Sequence, residues 1–189
     1  MLKDLILRNR SIRRYHQDEA INLETLKELV DLGRCSASGS NKQPLKYILS
    51  CTPEKNALIF STLSWAGSLP DWPGPSEGER PSAYICILGD TEISKGFGTD
   101  HGIAAQSMLL GAVERGLGGC MLASVKRDDL ARLLEIPERY QILLMVALGK
   151  PKEKVVIEVL EKDGDQRYWR DDDQTHHVPK RRLEDITIG

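Results

Sequence analysis

The segment that most constrains the fold is TDHGIAAQSMLLGAVERGLGG, residues 99–119. Its apolar residues recur at helical spacing but cover more than one face, which predicts a helix that is buried inside the protein. Thr99 or Asp100 is expected to cap its start, and Gly116 and Gly118 are expected to end it. A chain with such a helix must surround it with other elements, so we expect a sheet packed on a long central helix.

Segments of both helical and strand type flank this helix. Helices are predicted at residues 2–9, after an N-cap at Asn22, and at 127–136, and strands at 45–51, 82–90, 120–123 and 142–150. The strand 142–150, ILLMVALGK, is apolar throughout and is expected near the centre of the sheet. The chain is expected to end with a hairpin over residues 155–171 and an arm, 176–189, that adds one more strand. This order predicts one α+β domain over residues 1–189, with a mixed or antiparallel central sheet and a C-terminal hairpin and arm over residues 152–189.

The charge balance argues against a nucleic-acid partner. Among the 189 residues, Lys and Arg number 26 and Asp and Glu number 28, a formal net charge of −2. A domain that binds nucleic acid through its phosphates usually carries a clear positive excess. Four cysteines without a CxxC pair are expected to be reduced thiols. No signal-like segment and no apolar run of roughly 18 residues is recognised, so we expect a soluble, cytoplasmic protein with no membrane partner.

Positive charge is nevertheless concentrated in RNRSIRRY, residues 8–15. Ser11 lies between Arg10 and Arg13, and a hydroxyl between two guanidinium groups offers the charge-assisted bonds that a phosphate prefers. The alternative is that these cations only stabilise the negative end of the preceding helix, and Arg8 and Arg14 are readily explained as solvated charges. Because the chain as a whole is not basic, a small anion is a better candidate than a polyanion.

A second basic cluster, PKRRL, occupies residues 179–183. Lys180 and Arg182 alternate, so on an extended segment both side chains point to the same side. Clusters from the two ends of the chain could close on one phosphate. The alternative, a solvated tail, is the simpler interpretation of this spacing taken alone.

Residues 36–45, SASGSNKQPL, place short polar side chains on a turn before a strand. Ser38, Asn41 and Gln43 can donate and accept hydrogen bonds there without bulk. A turn that merely ends the preceding helix explains the segment equally well. The sequence leaves both interpretations open.

The loop of residues 63–81 is rich in Gly, Pro and Ser and contains Trp65 and Trp72. Exposed loops seldom carry tryptophan without a structural reason. A lid over a planar ligand and a loop anchored to the core by its aromatic side chains are both consistent with this composition.

Other kinds of site have little support. GLGGCMLAS, residues 116–124, lacks the GxGxxG spacing and follows a helix instead of opening one, which excludes a Rossmann loop. His176 and His177 are adjacent and cannot both turn to one ion in regular structure, and no HExxH or G-x-S-x-G motif is present. We therefore expect no metal site and nominate no catalytic side chain.

Four collinear segments, spanning nearly the whole chain, resemble the nitroreductase family. RSIRRY is similar to the family's R-R-S-x-R-x-F, and SASGSNKQPL is similar to A-P-S-x-x-N-x-Q-P-W. DHGIAAQSMLLGAVERGLGG is similar to D-x-G-x-A-x-Q-N-L-x-L-x-A-x-x-x-G-L-G, and VALGKP with the later PKRRL is similar to the closing strand and basic arm. Members of this family are reductases that depend on flavin mononucleotide (FMN) and work as homodimers.

This resemblance implies what the basic clusters bind. Arg10, Ser11 and Arg13 match the motif that holds the flavin phosphate and ribityl chain. Lys180 and Arg182 match the late basic pair that closes on the same phosphate. The resemblance further implies a nitroreductase-like fold whose C-terminal arm is exchanged in a homodimer, with the flavin at the interface.

The remaining implied contacts come from two other segments. Ser38 and Asn41 match positions that reach the flavin across the dimer interface, and the backbone near Ala123 and Ser124 matches the segment that donates a hydrogen bond to the flavin N5. The full implied cofactor-binding set is Arg10, Ser11, Arg13, Ser38, Asn41, Gln43, Ala123, Ser124, Lys180 and Arg182.

The implied activity is transfer of hydride from NADH or NADPH, through FMN, to a small-molecule electron acceptor such as a nitroaromatic or a quinone, in a ping-pong mechanism. Flavin-cleaving or dehalogenating branches of the same fold, or a flavin-binding module without activity, are the alternatives. The sequence departs from the family pattern at Asn9, Ala37, Leu45 and Ser107. Ala37 and Leu45 are expected to reshape the substrate pocket.

Overall fold

The computed structural model describes residues 1–189, with five α-helices and eight β-strands. In chain order these are α1 (Leu2–Arg8), β1 (Tyr15–His16), α2 (Leu23–Arg34), β2 (Leu45–Ser50), α3 (Pro53–Phe60), β3 (Ala83–Asp90), α4 (Asp100–Glu114), β4 (Gly118–Leu122), α5 (Arg127–Leu133), β5 (Tyr140–Pro151), β6 (Val155–Val159), β7 (Trp169–Arg170) and β8 (His176–Lys180). The α+β class expected from the sequence is confirmed. None of the helices combines the length and the apolar character needed to cross a bilayer.

Five strands form the central sheet, in the order β1-β5-β3-β2, with β4 also paired with β5. All of these pairings are antiparallel. Leu148 of β5 pairs with Ala83 of β3 on one side and with Gly119 of β4 on the other. The apolar strand expected at the centre of the sheet is therefore an interior strand, which explains why it lacks polar alternation.

Helices cover both faces of this sheet. α2 and α4 pack against Ile85 and Ile87 of β3, whereas α3 and α5 pack against Tyr84 and Cys86, which point the other way. Eight of the fifteen residues of α4 are buried, which confirms a buried central helix. α4 begins at Asp100 and β4 follows it directly, so both ends of the helix lie next to segments that the sequence marked as polar or glycine-rich.

A second sheet of three short strands forms the C-terminal part, in the order β6-β8-β7. β8 pairs with β6 in parallel and with β7 antiparallel, so the hairpin expected over residues 155–171 is wrong. Alternation marked both segments as strands but carried no information about which edges meet. His177 of β8 stabilises the arrangement, with Nδ1 against Glu158 and Nε2 3.0 Å from Asp171 Oδ2.

Helix α3 was missed by the sequence analysis. Only Ile59 of its eight residues is buried, so the segment has no one-sided apolar pattern that would predict a helix. The available signals were local: Pro53 stands in the first turn, and the Thr52 hydroxyl accepts a hydrogen bond from the backbone N–H of Lys55 at 3.4 Å.

The tryptophan loop is anchored to the core. Trp65 is 8% exposed, and its ring centroid lies 5.8 Å from that of Phe60. The Arg170 guanidinium lies 4.2 Å from the centroid of the Trp72 ring. Of the two interpretations of this loop, the structure supports the one in which its aromatic side chains attach it to the body of the protein.

Candidate functional site

The two ends of the chain meet at one cavity of about 400 Å³, called here the basic cavity. Arg10, Ser11 and Arg13, from the segment between α1 and β1, line one side of it. Lys180, the last residue of β8, lines the other. Three cationic side chains, drawn from the two ends of the chain, therefore surround a single space.

The backbone of the arginine segment is fixed by the central sheet. Ile12 donates its backbone N–H to the carbonyl oxygen of Gly119 on β4 at 2.9 Å, and Ser11 forms a parallel bridge with the same residue. The buried hydroxyl of Tyr15 donates to the Ile12 carbonyl oxygen. An added Cβ at Gly118 would lie 2.8 Å from Ile12 Cγ1, so glycine there allows the arginine segment to approach β4 closely.

A buried carboxylate, Glu153, completes the attachment. Its Oε1 accepts the backbone N–H groups of Arg13 and of Arg14, and its Oε2 accepts from Arg170 Nη2 at 2.9 Å. The Glu153 side chain is 0% exposed and the Arg170 side chain 9% exposed. One carboxylate thus joins the arginine segment, the β5–β6 connection and β7, and the sequence analysis did not single it out.

Arg13 is held in place but retains donor capacity. Its Nη1 donates to the Ser11 carbonyl oxygen and to His176 Nε2, both at 3.3 Å, and its guanidinium carbon lies 4.6 Å from the centroid of the Tyr168 ring. Its Nε is buried and has no hydrogen-bond partner. An N–H that is buried without a partner is costly, so the arrangement favours an acceptor arriving from the cavity.

His176 lines the same cavity and is fully buried. Arginine has no acceptor, so Nε2 of His176 must accept from Arg13 and the ring proton of the neutral form must be on Nδ1. Burial, together with the charges of Arg13 and Arg170, lowers the pKa of His176 to about 4. The imidazole is therefore neutral near pH 7, and its Nδ1 has no partner.

The sequence analysis noted His176 but gave it no function. The signal that could have identified it is the strand period, because His176, Val178 and Lys180 alternate on one face of β8 and all three line the cavity. His177 faces the other side of the strand, toward Glu158 and Asp171.

The other arginines of the first cluster serve different purposes. Arg10 donates from Nη2 to the Ile6 carbonyl oxygen at 2.9 Å, capping α1, while its Nε is buried without a partner. Arg10 can therefore stabilise the end of α1 and bind an anion at the same time, because Nη2 caps the helix and Nε remains free. Arg8 forms an exposed pair with Asp4. Arg14 is not the solvated charge that was expected. Its Nε and Nη2 both donate to the Glu79 carboxylate at 2.7 Å, which attaches the loop of residues 63–81 to the arginine segment.

Arg182 does not line the basic cavity. It pairs with Glu161 at 3.1 Å, and its side chain is half exposed. β8 ends at Lys180, and the alternation that would have placed Arg182 beside Lys180 ends with it. In a single chain, only the lysine of the late basic pair joins the arginine segment.

Ser38 and Gln43 line a separate pocket of about 140 Å³ with Asp100. The Ser38 hydroxyl donates to Asp100 Oδ2 at 2.6 Å and accepts from the backbone N–H of Gln43 at 3.0 Å. The hydrogen bonds from Ser38 and from the Gly39 backbone lower the pKa of Asp100. Asn41 is exposed, with φ +53°, and lines neither pocket.

The separate pocket and the basic cavity lie on different sides of α4. Asp100 and Ala104 line the pocket, whereas Gln106 and Leu109 line the basic cavity. At 3.6 residues per turn these two pairs point to different faces of the helix. One chain therefore does not bring Ser38, Asn41 and Gln43 to the arginine segment.

Ala123 and Ser124 follow β4 directly and are exposed. Neither lines the basic cavity, but Gly119 and Met121 do, and Ala123 continues the same alternation along the chain. The segment that was predicted to donate a hydrogen bond to the flavin N5, Ala123 and Ser124, thus begins where β4 and its part of the cavity wall end.

The residues of the basic cavity fit a flavin phosphate. Three cations surround the space, and Arg10 Nε, Arg13 Nε and His176 Nδ1 are buried nitrogens without a partner. The donors are chemically suited to the phosphate oxygens of FMN.

The chain is similar to known proteins of one family. The model of the Nitroreductase family matches residues 6–66 and 87–150. A relative from Archaeoglobus fulgidus, named "Putative NADH dehydrogenase/NAD(P)H nitroreductase", is 27% identical over 158 residues, which cover 79% of this chain and 85% of that protein.

Two solved structures show the same fold. The Nitroreductase Family Protein from Streptococcus pneumoniae superposes with a TM-score of 0.71 at 14% identity, covering 100% of both chains. An NADPH:FMN oxidoreductase from Vibrio harveyi, in complex with NAD+, superposes with a TM-score of 0.62 at 24% identity, covering 79% of this chain and 68% of that one. The family match spans well over half of the sequence, and the chain belongs to the Nitroreductase family.

Proposed function

We propose that this protein is an FMN-dependent enzyme that passes reducing equivalents from NADH or NADPH to small organic acceptors, nitroaromatics or quinones, in a ping-pong reaction. As a family member the chain is an NAD(P)H-dependent oxidoreductase. The observation that supports FMN is the meeting of Arg10, Arg13 and Lys180 around a cavity whose buried nitrogens lack partners. The similarity to the Vibrio harveyi protein, an NADPH:FMN oxidoreductase, supports the same cofactor.

The residues of the basic cavity would divide the work of holding FMN. Arg13 and Lys180 would neutralise the phosphate, and the Ser11 hydroxyl would donate a short bond to it. Arg10 would add its free Nε while continuing to cap α1. When bound, FMN supplies the hydride-accepting ring, so no side chain of the protein needs to act as nucleophile or acid.

His176 would act through Arg13. Because its Nε2 accepts from Arg13 Nη1, the neutral imidazole orients the guanidinium without competing for the phosphate's negative charge. A protonated histidine at this position would lose that acceptor and repel Arg13. The depressed pKa of His176 therefore keeps the orienting contact intact at neutral pH.

We infer a homodimer with an exchanged C-terminal arm, because the site is divided between two places in one chain. Ser38, Asn41 and Gln43 would reach the flavin from the second subunit. The backbone near Ala123 and Ser124 would complete the wall of the site in the first subunit. The arm leaves Leu183, Ile186 and Ile188 at 74%, 61% and 102% exposure, which gives it an apolar surface for a partner. Arg182 lies on the same arm.

The proposed setting is cytoplasmic, supported by four cysteines that are all free thiols. Neither nucleic acid nor a membrane is proposed as a partner.

The visible spectrum of the purified protein, recorded anaerobically before and after addition of each nicotinamide, tests this proposal. A flavin spectrum that is bleached by NADH or NADPH and restored by a quinone or a nitroaromatic is the expected result. A yellow protein that neither nicotinamide bleaches would be a flavin-binding module instead. Consumption of the flavin itself, or release of halide from a halogenated substrate, would point to a different reaction on the same fold.

A further inference from the structure

A second cavity, of about 280 Å³, lies on the opposite face of the central sheet from α4 and is called here the α3 cavity. α3, the start of β3 and the loop that precedes it enclose the space. It shares no lining residue with the basic cavity or with the pocket of Ser38. The proposed flavin chemistry makes no use of it.

Three residues of this cavity carry polar atoms without a partner. The hydroxyls of Tyr84 and Ser82 are buried and unpaired, and so is Arg80 Nε. Tyr84 is 0% exposed and Ser82 is 7% exposed. Asn56 beside them does have partners, since its Nδ2 donates to the Ser82 carbonyl oxygen and its Oδ1 accepts from the Ser50 hydroxyl, both at 2.7 Å. The protein thus leaves three donors unsatisfied at one place, while it satisfies their neighbour.

The charged wall of the cavity is a pair that opens easily. Arg80 Nη1 lies 2.7 Å from Glu77 Oε2, and the Glu77 side chain is 73% exposed whereas that of Arg80 is 34% exposed. The Arg80 guanidinium is fixed over the Phe60 ring, 4.4 Å from its centroid. The other oxygen of Glu77, Oε1, accepts from Gln17 Nε2 at 3.0 Å in an exposed contact. Because exposed polar contacts of this kind are weak, a better-placed carboxylate can replace Glu77 at Arg80.

Part of the lining is apolar, with Phe60, Pro53 and Pro81 among the walls, while Gln17 and Asn56 add polar side chains. The volume is close to the lower end of small-ligand sites, roughly 300 Å³. One cation and two hydroxyl donors next to an apolar wall favour a ligand with a carboxylate group and a short aliphatic or aromatic part.

We propose that the α3 cavity binds a small organic monocarboxylate, whose carboxylate replaces Glu77 at Arg80 and accepts from Ser82 and Tyr84. The apolar body lies along Phe60. This site is independent of the flavin site, and its existence does not depend on the proposed function.

Calorimetric titration of the full-length, flavin-loaded protein with benzoate tests the proposal, with benzamide as the neutral probe of the same shape. We expect saturable binding of benzoate and at least tenfold weaker binding of benzamide. Arg80→Gln should weaken benzoate binding at least tenfold. Glu77→Gln should strengthen it several-fold, because the internal competitor is removed. Opposite effects from the two members of one ion pair cannot come from loss of the pair as a structural contact.

Asp129 and Arg132 form the matched control, because they make an exposed pair with the same spacing in the chain. Asp129→Asn and Arg132→Gln should leave benzoate affinity unchanged. Tyr84→Phe should weaken binding without lowering the melting temperature of the free protein, since the deleted hydroxyl has no partner.

Three results would overturn the proposal. They are the absence of saturable benzoate binding, equal affinity for benzoate and benzamide, and binding that Arg80→Gln leaves unchanged, which would place the ligand elsewhere. A crystal structure of the benzoate-soaked protein that shows only ordered water on Tyr84 and Ser82 would have the same consequence.

Discussion

At the scale of single residues, the basic cavity depends on how its donors are constrained. Glu153 binds the backbone of Arg13 and leaves the side chain free, and His176 then orients that side chain through Nε2. Charge alone would leave a flexible guanidinium that loses entropy on binding. Glu153 and the neutral His176 already order Arg13 in the folded protein, so less conformational entropy is lost when a ligand binds.

Replacement of Arg13 by alanine should weaken FMN binding by about 1.5–3 kcal/mol, the usual size of a hydrogen bond to a charged group. Fluorescence titration of the apoprotein with FMN measures this change. Arg8→Ala is the control, because Arg8 pairs only with Asp4 and its side chain is 53% exposed. Unchanged FMN affinity in the Arg13 variant would favour the interpretation of the arginines as helix-end charges.

His176 should make the folded protein sensitive to acid. Its pKa is about 4 in the folded protein and 6.5 as an unperturbed side chain. Between these values the unfolded chain binds more protons than the folded protein, so the free energy of unfolding falls as pH is lowered through this window. The loss from this group should reach up to about 3 kcal/mol.

Urea unfolding between pH 4 and 7 measures this dependence, with His176→Gln as the comparison because glutamine keeps an acceptor and does not titrate. The variant should lose less stability than the unmodified protein over this range. His177 acts in the opposite direction, since Asp171 and Glu158 raise its pKa, and its contribution is lost only as pH rises above the unperturbed value. Parallel pH profiles for the two proteins would contradict the assignment of His176.

At the scale of elements, β4 connects the buried helix to the basic cavity. The strand follows α4 directly, pairs with β5 and presents Gly119 to the arginine segment. The closeness of these elements explains the run of glycines at residues 116–119 better than a nucleotide-binding loop does. Gly116 has φ +72°, which ends the helix; Gly118 leaves space for Ile12 of the arginine segment, and Gly119 leaves space for β5 and Leu109 of α4.

Gly119→Ala should therefore destabilise the protein by about 1–3 kcal/mol, the usual cost of overpacking. The new Cβ would lie 2.6 Å from both the Ala147 carbonyl oxygen and Leu109 Cδ2. Gly102→Ala is the matched control, because nothing lies within 4 Å of its Cβ position and alanine favours the helix by up to about 1 kcal/mol. Chemical denaturation should thus show opposite signs for the two variants, and equal effects would show that β4 can shift away from Ala147 of β5 and Leu109 of α4.

At the scale of the whole molecule, the residues proposed to hold the flavin lie in two separate places in one chain. The basic cavity and the pocket of Ser38 lie on different sides of α4, and the C-terminal arm extends with exposed apolar residues. A second copy would supply what each chain lacks. Binding of FMN and association of the subunits should consequently be linked.

Dilution should expose this linkage. As the protein concentration falls below the dissociation constant of the dimer, the flavin content per chain should fall with it. Analytical ultracentrifugation monitored at flavin and protein wavelengths measures both quantities in one experiment. A fully monomeric species that retains one flavin per chain would contradict the dimeric site.

The sequence predicted those parts of the fold that repeat locally. The central helix, its polar start and glycine-rich end, and the interior strand of β5 are all visible as periodic patterns, because each reflects the environment of successive residues. The charge clusters at both ends of the chain were conspicuous in a nearly neutral sequence, but only the family resemblance indicated that they meet; Arg10, Ser11, Arg13 and Lys180 do line one cavity, and their role in binding the cofactor stays a prediction. Helix α3 was missed because it has no one-sided pattern.

Only the tertiary structure decided which distant groups meet. Three features arise between residues that are far apart in the chain. They are the pairing of β8 with β6 and β7, the contact of the buried Glu153 carboxylate with Arg13, and the burial of His176 Nδ1 without a hydrogen-bond partner. A residue's own side chain and its near neighbours determine local conformation and charge. Burial, pKa and hydrogen-bond partners depend on what the rest of the chain places beside it, and that information appears only when the chain is folded.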